Sequence, residues 1–356
     1  MVGISLLTLV PGVVGGSERY ARELCRALAR VGELDYRVYV PTIAKDAADG
    51  LPAKVVTSYR AARSMPGRIA AMSMAAGAPW SVRRQLELKQ LEAIHFPLSV
   101  MLPPVKRPAA VTSVLDIQHE FLPELFSSTE LRYRKLVYGW SVRRSRQVIT
   151  ISEHARETLI ERLGLKPYRV KTIHLGVDHS RFTPSLGERE PFVLYPANYW
   201  LHKNHDRLFD AFQLLRRERR GLRLVLTGTG HKELRLPQGV ESRGRVSDGE
   251  LVDLYQRAAA LVFPSLYEGF GMPPLEAMAS GCPVAVSRIA SLVEVCGDAA
   301  VYFDPTDPED IARGMHEAME APFGRVQGAV EHAAGYTWDE CARRHDDVYR
   351  SLIAAR

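Results

Sequence analysis

The chain has 356 residues, a formal net charge of +6 and an apolar share of 46%, which suit a globular protein with two domains. Its four cysteines have neither metal-ligand nor disulfide-framework spacing, so a zinc module and a disulfide-rich secreted fold are excluded and a cytoplasmic protein with reduced thiols is expected. The first residues lack a basic segment and a cleavage site and predict a strand, not a signal peptide. The longest weakly apolar stretch, 69–80, is too short to span a bilayer.

The charge is distributed unevenly along the chain. Residues 1–180 contain 26 Lys and Arg against 16 Asp and Glu, whereas residues 181–356 contain 21 against 25. No nucleic-acid-binding motif accompanies the basic half, so nucleic acid is not expected as a partner. A solvated face fits the pattern, and so does a surface for anionic lipid or a phosphorylated substrate.

Strand-like and helix-like segments alternate through the first half. The strand-like runs are GISLLTLV, YRVYVPT, AIHFPLS, AAVTSVLD and QVITIS. The helix-like runs are SERYARELCRALARV and ETLIERLG, and the second is expected to end at Gly164, because glycine favours the end of a helix.

The second half repeats this alternation. Its strand-like runs are FVLYPA, LRLVLTG, ALVFPS and PVAVS, and its helix-like runs are HDRLFDAFQLLRRE, GELVDLYQRAA and PLEAMASG. Such alternation predicts parallel sheets with helices on both faces, that is, α/β domains of the doubly wound type. The turn-rich, charged segment 178–191 has no apolar periodicity and predicts the join between two such domains.

The segment YEGFGMPPLEAMASG, residues 267–281, predicts an anion site in the second domain. It follows the strand ALVFPS, and ligands of open α/β sheets bind at the carboxyl ends of the strands. Pro273 and Pro274 suit the first turn of a helix, which leaves free N–H groups at the positive end of the helix dipole. The expected anion-binding residues are Gly269, Phe270, Gly271 and Met272, and Pro273 is expected beside them in the donor site.

Two glutamates flank this anion site. Glu268 precedes it, and Glu276 is expected in the first helical turn. Carboxylates repel a phosphate, so both make better sense as acceptors for hydroxyl groups, one on a ribose and one on a sugar. The alternative interpretation, helix-start charges stabilised by the dipole, stays open on this segment alone.

Further residues are expected at loops of the same kind. Gly16 lies in a glycine turn between the first strand and the first helix, and Gly228 lies in another glycine turn, LTGTG, which ends a strand of the second domain. Lys203 follows the strand FVLYPA and is a candidate partner for a diphosphate. Val246 lies in GRVSDGEL, which is expected to approach a nucleotide base through its backbone.

The segment PSLYEGFGMPPLEAMASGCPVAVS resembles the E-x7-E signature of the GT4 family of retaining glycosyltransferases. The likeness covers nearly the whole chain, through GGSERYARELCRALA, HKNHDRLFDAF, EVCGDAAVYFDPTDPEDIA and YTWDECARRHDDVY. It implies the GT-B fold, with two doubly wound, Rossmann-like domains facing a central cleft. The implied domains are an acceptor-binding domain at 1–184 with 337–356 and a nucleotide-sugar donor-binding domain at 185–336.

The resemblance also implies roles for single residues. Glu276 is expected to hold the ribose hydroxyls and Glu268 the donor hexose, while Lys203 neutralises the leaving phosphate with help from the N–H of Gly16. His119 resembles a histidine of the acceptor domain near the transferred sugar, so the implied catalytic residues are Glu268, His119 and Lys203.

Two positions depart from the family pattern. Many members have histidine directly before the aspartate, where this chain has Leu115, so His119 either takes that role or the role is absent. The family often has arginine five residues before the lysine, and Asn198 stands there. We expect Asn198 and His202 to contact the donor in its place.

The implied activity is transfer of a hexose, with mannose favoured, from a nucleotide-diphosphate sugar to a saccharide or lipid-linked glycan acceptor with retention. No D-x-D sequence is present, so no metal or other cofactor is expected. Peripheral contact with the anionic inner face of a membrane is expected from the basic first half.

A dinucleotide oxidoreductase is disfavoured because no GxGxxG follows a strand. A GT-B epimerase or phosphorylase, and an inactive nucleotide-binding partner protein, stay as alternatives.

Overall fold

The computed structural model describes residues 1–13, 15–77, 79–231 and 235–355. It divides into two compact domains, the first formed by Met1–Gly176 with Trp338–Arg356 and the second by Val177–Thr337. The sequence predicts the division at 184/185 and 336/337, and the acceptor and donor roles of the two domains stay predictions.

A parallel sheet of seven strands forms the centre of the first domain. The order is β3-β2-β1-β4-β5-β6-β7, which reverses direction between β1 and β4. Its apolar strands are covered on both faces, as parallel sheets require. The strands are β1 (Val2–Ser5), β2 (Tyr36–Pro41), β3 (Ala53–Val56), β4 (Ala93–Phe96), β5 (Ala109–Ser113), β6 (Gln147–Thr150) and β7 (Val170–Thr172).

The helices of the first domain cover this sheet. α1 buries Tyr20, Leu24, Cys25 and Leu28, a spacing that gives one apolar face, and α6 ends at Gly164 in the left-handed conformation as predicted. The helices are α1 (Gly16–Val31), α2 (Met65–Gly77), α3 (Pro79–Gln85), α4 (Gln118–Phe121), α5 (Ser128–Arg144), α6 (Glu153–Leu163) and the last helix of the chain, α13 (Trp338–Ala354).

A second parallel sheet, of six strands, forms the centre of the second domain. Its order is β10-β9-β8-β11-β12-β13, so the direction reverses between β8 and β11. The strands are β8 (Glu190–Pro196), β9 (Arg223–Thr227), β10 (Val240–Ser242), β11 (Ala258–Phe263), β12 (Val284–Ser287) and β13 (Val301–Phe303).

In the described part of the second domain, six α-helices pack around the sheet. The prediction of a helix over HDRLFDAFQLLRRE is confirmed by α7, which has those bounds. The helices are α7 (His205–Glu218), α8 (Asp248–Arg257), α9 (Met272–Ala279), α10 (Ala290–Cys296), α11 (Pro308–Met319) and α12 (Phe323–Ala334). Within the described ranges, none of the chain's helices combines the length and apolar character needed to cross a bilayer.

A buried network of polar side chains fixes α13 to the first domain. The Tyr20 hydroxyl bonds Ser113 Oγ at 2.8 Å and His345 Nε2 at 2.9 Å, and the His95 ring bonds Ser113 Oγ at 2.7 Å and the Tyr349 hydroxyl at 2.7 Å. All five side chains are buried, and burial lowers the pKa of His345 to about 4, so its ring is neutral. The network therefore joins α1, β4, β5 and α13 without a buried charge.

This network predicts the effect of Tyr349→Phe. Removing the hydroxyl leaves Nδ1 of His95 buried without its partner, so the free energy of unfolding of the first domain should fall by about 1–3 kcal/mol. Urea unfolding followed by tryptophan fluorescence measures this, because three of the four tryptophans, Trp80, Trp140 and Trp338, lie in the first domain. Tyr168→Phe, at an exposed tyrosine, is the control, and an equal effect of both changes would contradict the assignment.

Candidate functional site

The candidate site lies in the second domain where the strand order reverses. The chain leaves the carboxyl ends of β8 and β11 in opposite directions there, which opens a crevice outside the sheet. The loop after β8 contains Lys203, and the loop after β11 contains Glu268. The fold thus brings together two residues that are 65 positions apart in the sequence.

Lys203 and Glu268 form an ion pair. Lys203 Nζ lies 2.5 Å from Glu268 Oε1, and the two side chains are only 12% and 15% exposed. The ammonium also lies 4.9 Å from the ring centroid of Phe263, the last residue of β11, which is within the range of a cation–π contact. Partial burial strengthens both interactions, because little water is near to screen them.

The backbone on the lysine side of the pair is held by side chains of the protein. Leu201–Lys203 form a 3₁₀ turn, and the buried Tyr195 hydroxyl donates a hydrogen bond to the carbonyl oxygen of Lys203 at 2.5 Å. Leu266 N in the loop after β11 donates to the carbonyl oxygen of His202 at 2.8 Å. The lysine turn and the glutamate loop are therefore hydrogen-bonded to each other.

Asn204 ties three loops together. Its backbone is left-handed, with φ at +61°, and its buried side-chain amide donates to the carbonyl oxygens of Pro264 at 3.0 Å and Pro305 at 2.7 Å. These carbonyls lie after β11 and after β13. Sequence reasoning assigned no role to Asn204; the signal for one is an asparagine directly before a helix, where left-handed backbone is tolerated.

The glycine turn after Glu268 begins helix α9 as predicted. Gly271 has φ at +122°, and a Cβ there would lie 2.5 Å from a methyl group of Leu292, so only glycine fits. Met272 is the first helical residue, and Pro273 and Pro274 follow without N–H groups. The N–H of Met272 has no acceptor within the helix and lies at the positive end of its dipole.

Glu276 lies in the second turn of α9, so its predicted place in the first turn is wrong. The helix begins at Met272, before the prolines, which moves Glu276 one turn into the helix. Its side chain is almost completely buried, and its Oε2 accepts a hydrogen bond from the Tyr255 hydroxyl at 3.3 Å. A buried carboxylate needs such donors to offset its desolvation.

Asn198 and Gly228 belong to one loop junction. Asn198 Oδ1 accepts hydrogen bonds from the backbone and the hydroxyl of Thr229, at 2.8 and 3.0 Å. Gly228 has φ at +124°, and a Cβ there would lie 2.7 Å from the carbonyl oxygen of Ala197. Val246, the third predicted residue of this region, is half-buried and directly precedes Ser247, the N-cap of α8.

The two histidines beside Lys203 are neutral. Burial and the charge of Lys203 lower the pKa of His202 to about 4, against the opposing effect of Glu268, and its ring stacks on Trp200 at 5.6 Å. Burial lowers the pKa of His205 to about 3, and its ring packs 4.9 Å from Tyr195. At neutral pH His202 therefore offers a hydrogen bond to a ligand but no positive charge.

Two predicted site residues, His119 and Gly16, belong to the first domain. His119 lies on α4, buried, with its ring edge-on to Tyr138 at 5.6 Å, and burial lowers its pKa to about 4. Gly16 is the first residue of α1. Their predicted roles stay predictions.

Among the described residues no group of three or more His, Cys, Asp or Glu side chains is arranged to hold a metal ion. The anion-binding elements of this part of the second domain are the ammonium of Lys203, which pairs with Glu268, and the start of α9, four residues after Glu268. Two carboxylates, Glu268 and Glu276, flank them. The arrangement therefore suits a ligand with a phosphate and several hydroxyl groups.

Comparison with known proteins assigns the chain to a family. The model described as Glycosyltransferase Family 4 matches residues 14–181, and the model described as Glycosyl transferases group 1 matches residues 177–333. The O-antigen chain mannosyltransferase B of Escherichia coli is 30% identical over 268 residues, 68% of this chain and 70% of that protein. The O-antigen chain mannosyltransferase RfbU of Salmonella typhimurium is 32% identical over 251 residues, 66% and 67% of the two chains.

A solved structure supports the fold over the full length. Sucrose-phosphate synthase from Thermosynechococcus elongatus matches with a TM-score of 0.76 and 16% identity, over 100% of this chain and 99% of that one. Both domains of the present chain thus have family matches, and its two parallel sheets are those of the GT-B fold. The chain is a member of the GT4 family of glycosyltransferases.

Proposed function

We propose that the chain transfers a hexose, with mannose favoured, from a nucleotide-diphosphate sugar to a glycan acceptor with retention of configuration. The single observation on which the proposal depends is the ion pair of Lys203 with Glu268, next to the start of α9 where the sheet reverses direction. A cation and a helix N-terminus together bind a diphosphate, and a neighbouring carboxylate binds the hydroxyls of a sugar.

The donor extends across the start of α9 in this proposal. The diphosphate lies on Lys203 and the N–H of Met272, the hexose hydroxyls bond Glu268 and the N–H groups of Phe270 and Gly271, and the ribose bonds Glu276. The order follows from the chain itself, because Glu268 precedes the helix start and Glu276 follows it. The loops with Asn198, Gly228 and Val246 complete the nucleotide end.

The chemistry needs charge stabilisation at two places. The bond between C1 of the sugar and the β-phosphate oxygen breaks, so negative charge develops on the diphosphate while the sugar gains oxocarbenium character. Lys203 and the α9 dipole stabilise the diphosphate without a metal ion. The acceptor oxygen bonds C1 from the same face, and its proton passes to the leaving phosphate oxygen. A neutral His119 is suited to hydrogen-bond the transferred sugar.

Two relatives support the choice of mannose and of a glycan acceptor. Both are named O-antigen chain mannosyltransferases, and both match over about two thirds of their length. We therefore propose a mannosyl donor and a growing polysaccharide, free or lipid-linked, as acceptor. In this proposal the loops recognise the nucleotide base through their backbone. The identity of the base must therefore be found by measuring the binding of different nucleotides.

Donor binding should occur without a metal ion. The ligands to test, in the presence of EDTA, are UDP, GDP, ADP and their common sugar conjugates. One of these nucleotides should raise the melting temperature of the full chain, because a ligand that binds the folded state stabilises it. Lys203→Met should reduce that rise strongly, because the phosphate loses its cation, and Glu276→Ala should reduce it because the ribose loses its acceptor. Glu331→Gln, on α12, is the control. A rise that requires added Mg²⁺, or that survives both site changes, would contradict the proposal.

The first domain has a surface suited to an anionic membrane. α5 contacts α2 where the Tyr133 hydroxyl donates to Met72 Sδ at 3.3 Å, and α2 also packs against α3. Among the described side chains of these helices, the exposed large apolar ones are Met74, Trp80, Leu136 and Trp140. These helices, apart from the start of α5, lie in segments 51–86 and 131–152, and neither segment contains an acidic residue. The basic residues of the two segments are Lys54, Arg60, Arg63, Arg68, Arg83, Arg84, Arg132, Arg134, Lys135, Arg143, Arg144 and Arg146.

One face of α5 has the pattern of an interfacial helix. Arg132, Leu136, Trp140 and Arg143 recur at steps of three or four residues, so they lie on the same side, and Trp140 lies 5.8 Å from the guanidinium of Arg144. Exposed tryptophan beside basic residues is typical of protein surfaces that lie on anionic lipid. We propose that this surface brings the acceptor domain to a membrane that holds a lipid-linked acceptor.

The membrane proposal predicts salt-sensitive binding to vesicles. The full chain should float with phosphatidylglycerol-containing vesicles at low ionic strength, less at high salt, and not with pure phosphatidylcholine. Arg143→Gln with Arg144→Gln should weaken binding about tenfold or more, since each basic residue near the surface contributes about 1 kcal/mol. Arg217→Gln with Arg220→Gln, in the second domain, is the charge-matched control. No binding at low salt, or equal loss in both pairs, would rule the surface out.

A further inference from the structure

We infer that Glu268 makes the site select an intact nucleotide-sugar over the free nucleoside diphosphate. The inference rests on the proposed function and concerns the same site. In the structure Glu268 forms an ion pair with Lys203, which is the cation that we propose binds the diphosphate. Binding of the diphosphate must therefore exchange one anion on Lys203 for another.

The exchange is local, because the backbone on both sides of the pair is held. Lys203 is fixed through its carbonyl by Tyr195, and its turn is joined to the glutamate loop by the bond from Leu266 N to His202 O. Asn204 anchors the same turn to Pro264, four residues before Glu268. The loops cannot separate without breaking these bonds, so the carboxylate leaves the ammonium by side-chain rotation and stays within the site.

A displaced Glu268 needs a new partner. Its side chain is 15% exposed, so water offers it little hydration, and a phosphate on Lys203 would repel it as a like charge. An intact donor supplies sugar hydroxyl groups that donate to the carboxylate. A free nucleoside diphosphate supplies none, and the carboxylate is left buried, next to another anion and without a hydrogen bond.

Binding of the free nucleoside diphosphate is therefore weakened by the unpaired carboxylate, whereas binding of the intact donor is not. Since the nucleoside diphosphate is the product of the proposed transfer, the same contact favours its departure once the sugar has left. Glu268 then has two functions. It binds the hexose before transfer, and it forms the ion pair with Lys203 again after transfer. Glutamine at this position keeps the shape and the hydrogen bonds to hydroxyls but does not compete for the ammonium.

The experiment compares two ligands on two variants of the full chain. Calorimetric titrations in EDTA would use the nucleoside diphosphate and the matching nucleotide-mannose, with GDP and GDP-mannose as the first pair. For Glu268→Gln we expect the affinity for the diphosphate to rise about tenfold, while the affinity for the nucleotide-sugar stays within about threefold or falls. Glu268→Ala should change the diphosphate affinity in the same direction, which keeps the test valid if one variant folds poorly.

Two controls separate this effect from general changes. Glu218→Gln removes the same charge at the far end of α7, a helix of 14 residues and therefore about 20 Å long, and should leave both affinities unchanged. Glu276→Gln should weaken both ligands by the same factor, because both contain the ribose. Melting temperatures of the unliganded variants verify that each is folded.

The outcomes distinguish this inference from the proposed function. If the unchanged protein binds nucleotide-sugar but Glu268→Gln binds the diphosphate no more tightly than before, the anion exchange is wrong and the donor site stands. If the unchanged protein binds no nucleotide at all, the proposed function fails and this inference with it. A gain of diphosphate affinity restricted to the Glu268 variants supports the inference.

Discussion

The ion pair between Lys203 and Glu268 is the interaction on which the account of the site depends. It exists because a parallel sheet reverses its winding between β8 and β11, so that two loops leave the same edge side by side. Tyr195, Asn204 and the bond from Leu266 N to His202 O keep the two loops together. The protein thus holds a cation against a carboxylate, four residues before a helix start, before any ligand contributes binding energy. Preorganised sites stabilise charge in this way.

The last helix of the chain is held to the first domain by neutral side chains. In this domain, polar side chains of α1, β4, β5 and α13 form a buried network in which every described hydroxyl and ring nitrogen has a partner and the histidines are neutral. The neutral state avoids the cost of burying charge, and the shared hydrogen bonds hold the last helix to a domain far from it in sequence. In the second domain, the partly buried side chains of Lys203 and Glu268 form an ion pair at the candidate site, where their charges can interact with a ligand.

The sequence predicted the architecture well and the contacts poorly. The alternation of strands and helices, the bounds of α7 and the glycine turn before α9 follow from local periodicity and turn chemistry, which act over a few residues. The ion pair, the clamp by Asn204 and the depth of Glu276 depend on where distant loops meet, and no local pattern encodes that. α2, α3 and α5 escaped prediction because exposed apolar residues such as Met74, Trp80 and Leu136 blur the amphipathic period that marks a helix.

A crystal structure of the full chain with its nucleotide-mannose, grown in EDTA, would show directly whether the donor lies on Lys203 and the start of α9. We expect diphosphate oxygens within hydrogen-bonding distance of Lys203 Nζ and of the N–H of Met272. We also expect Glu268 to be released from Lys203 and to accept hydrogen bonds from the hexose. A donor bound elsewhere, or one bound here with the Lys203–Glu268 pair intact, would contradict these expectations.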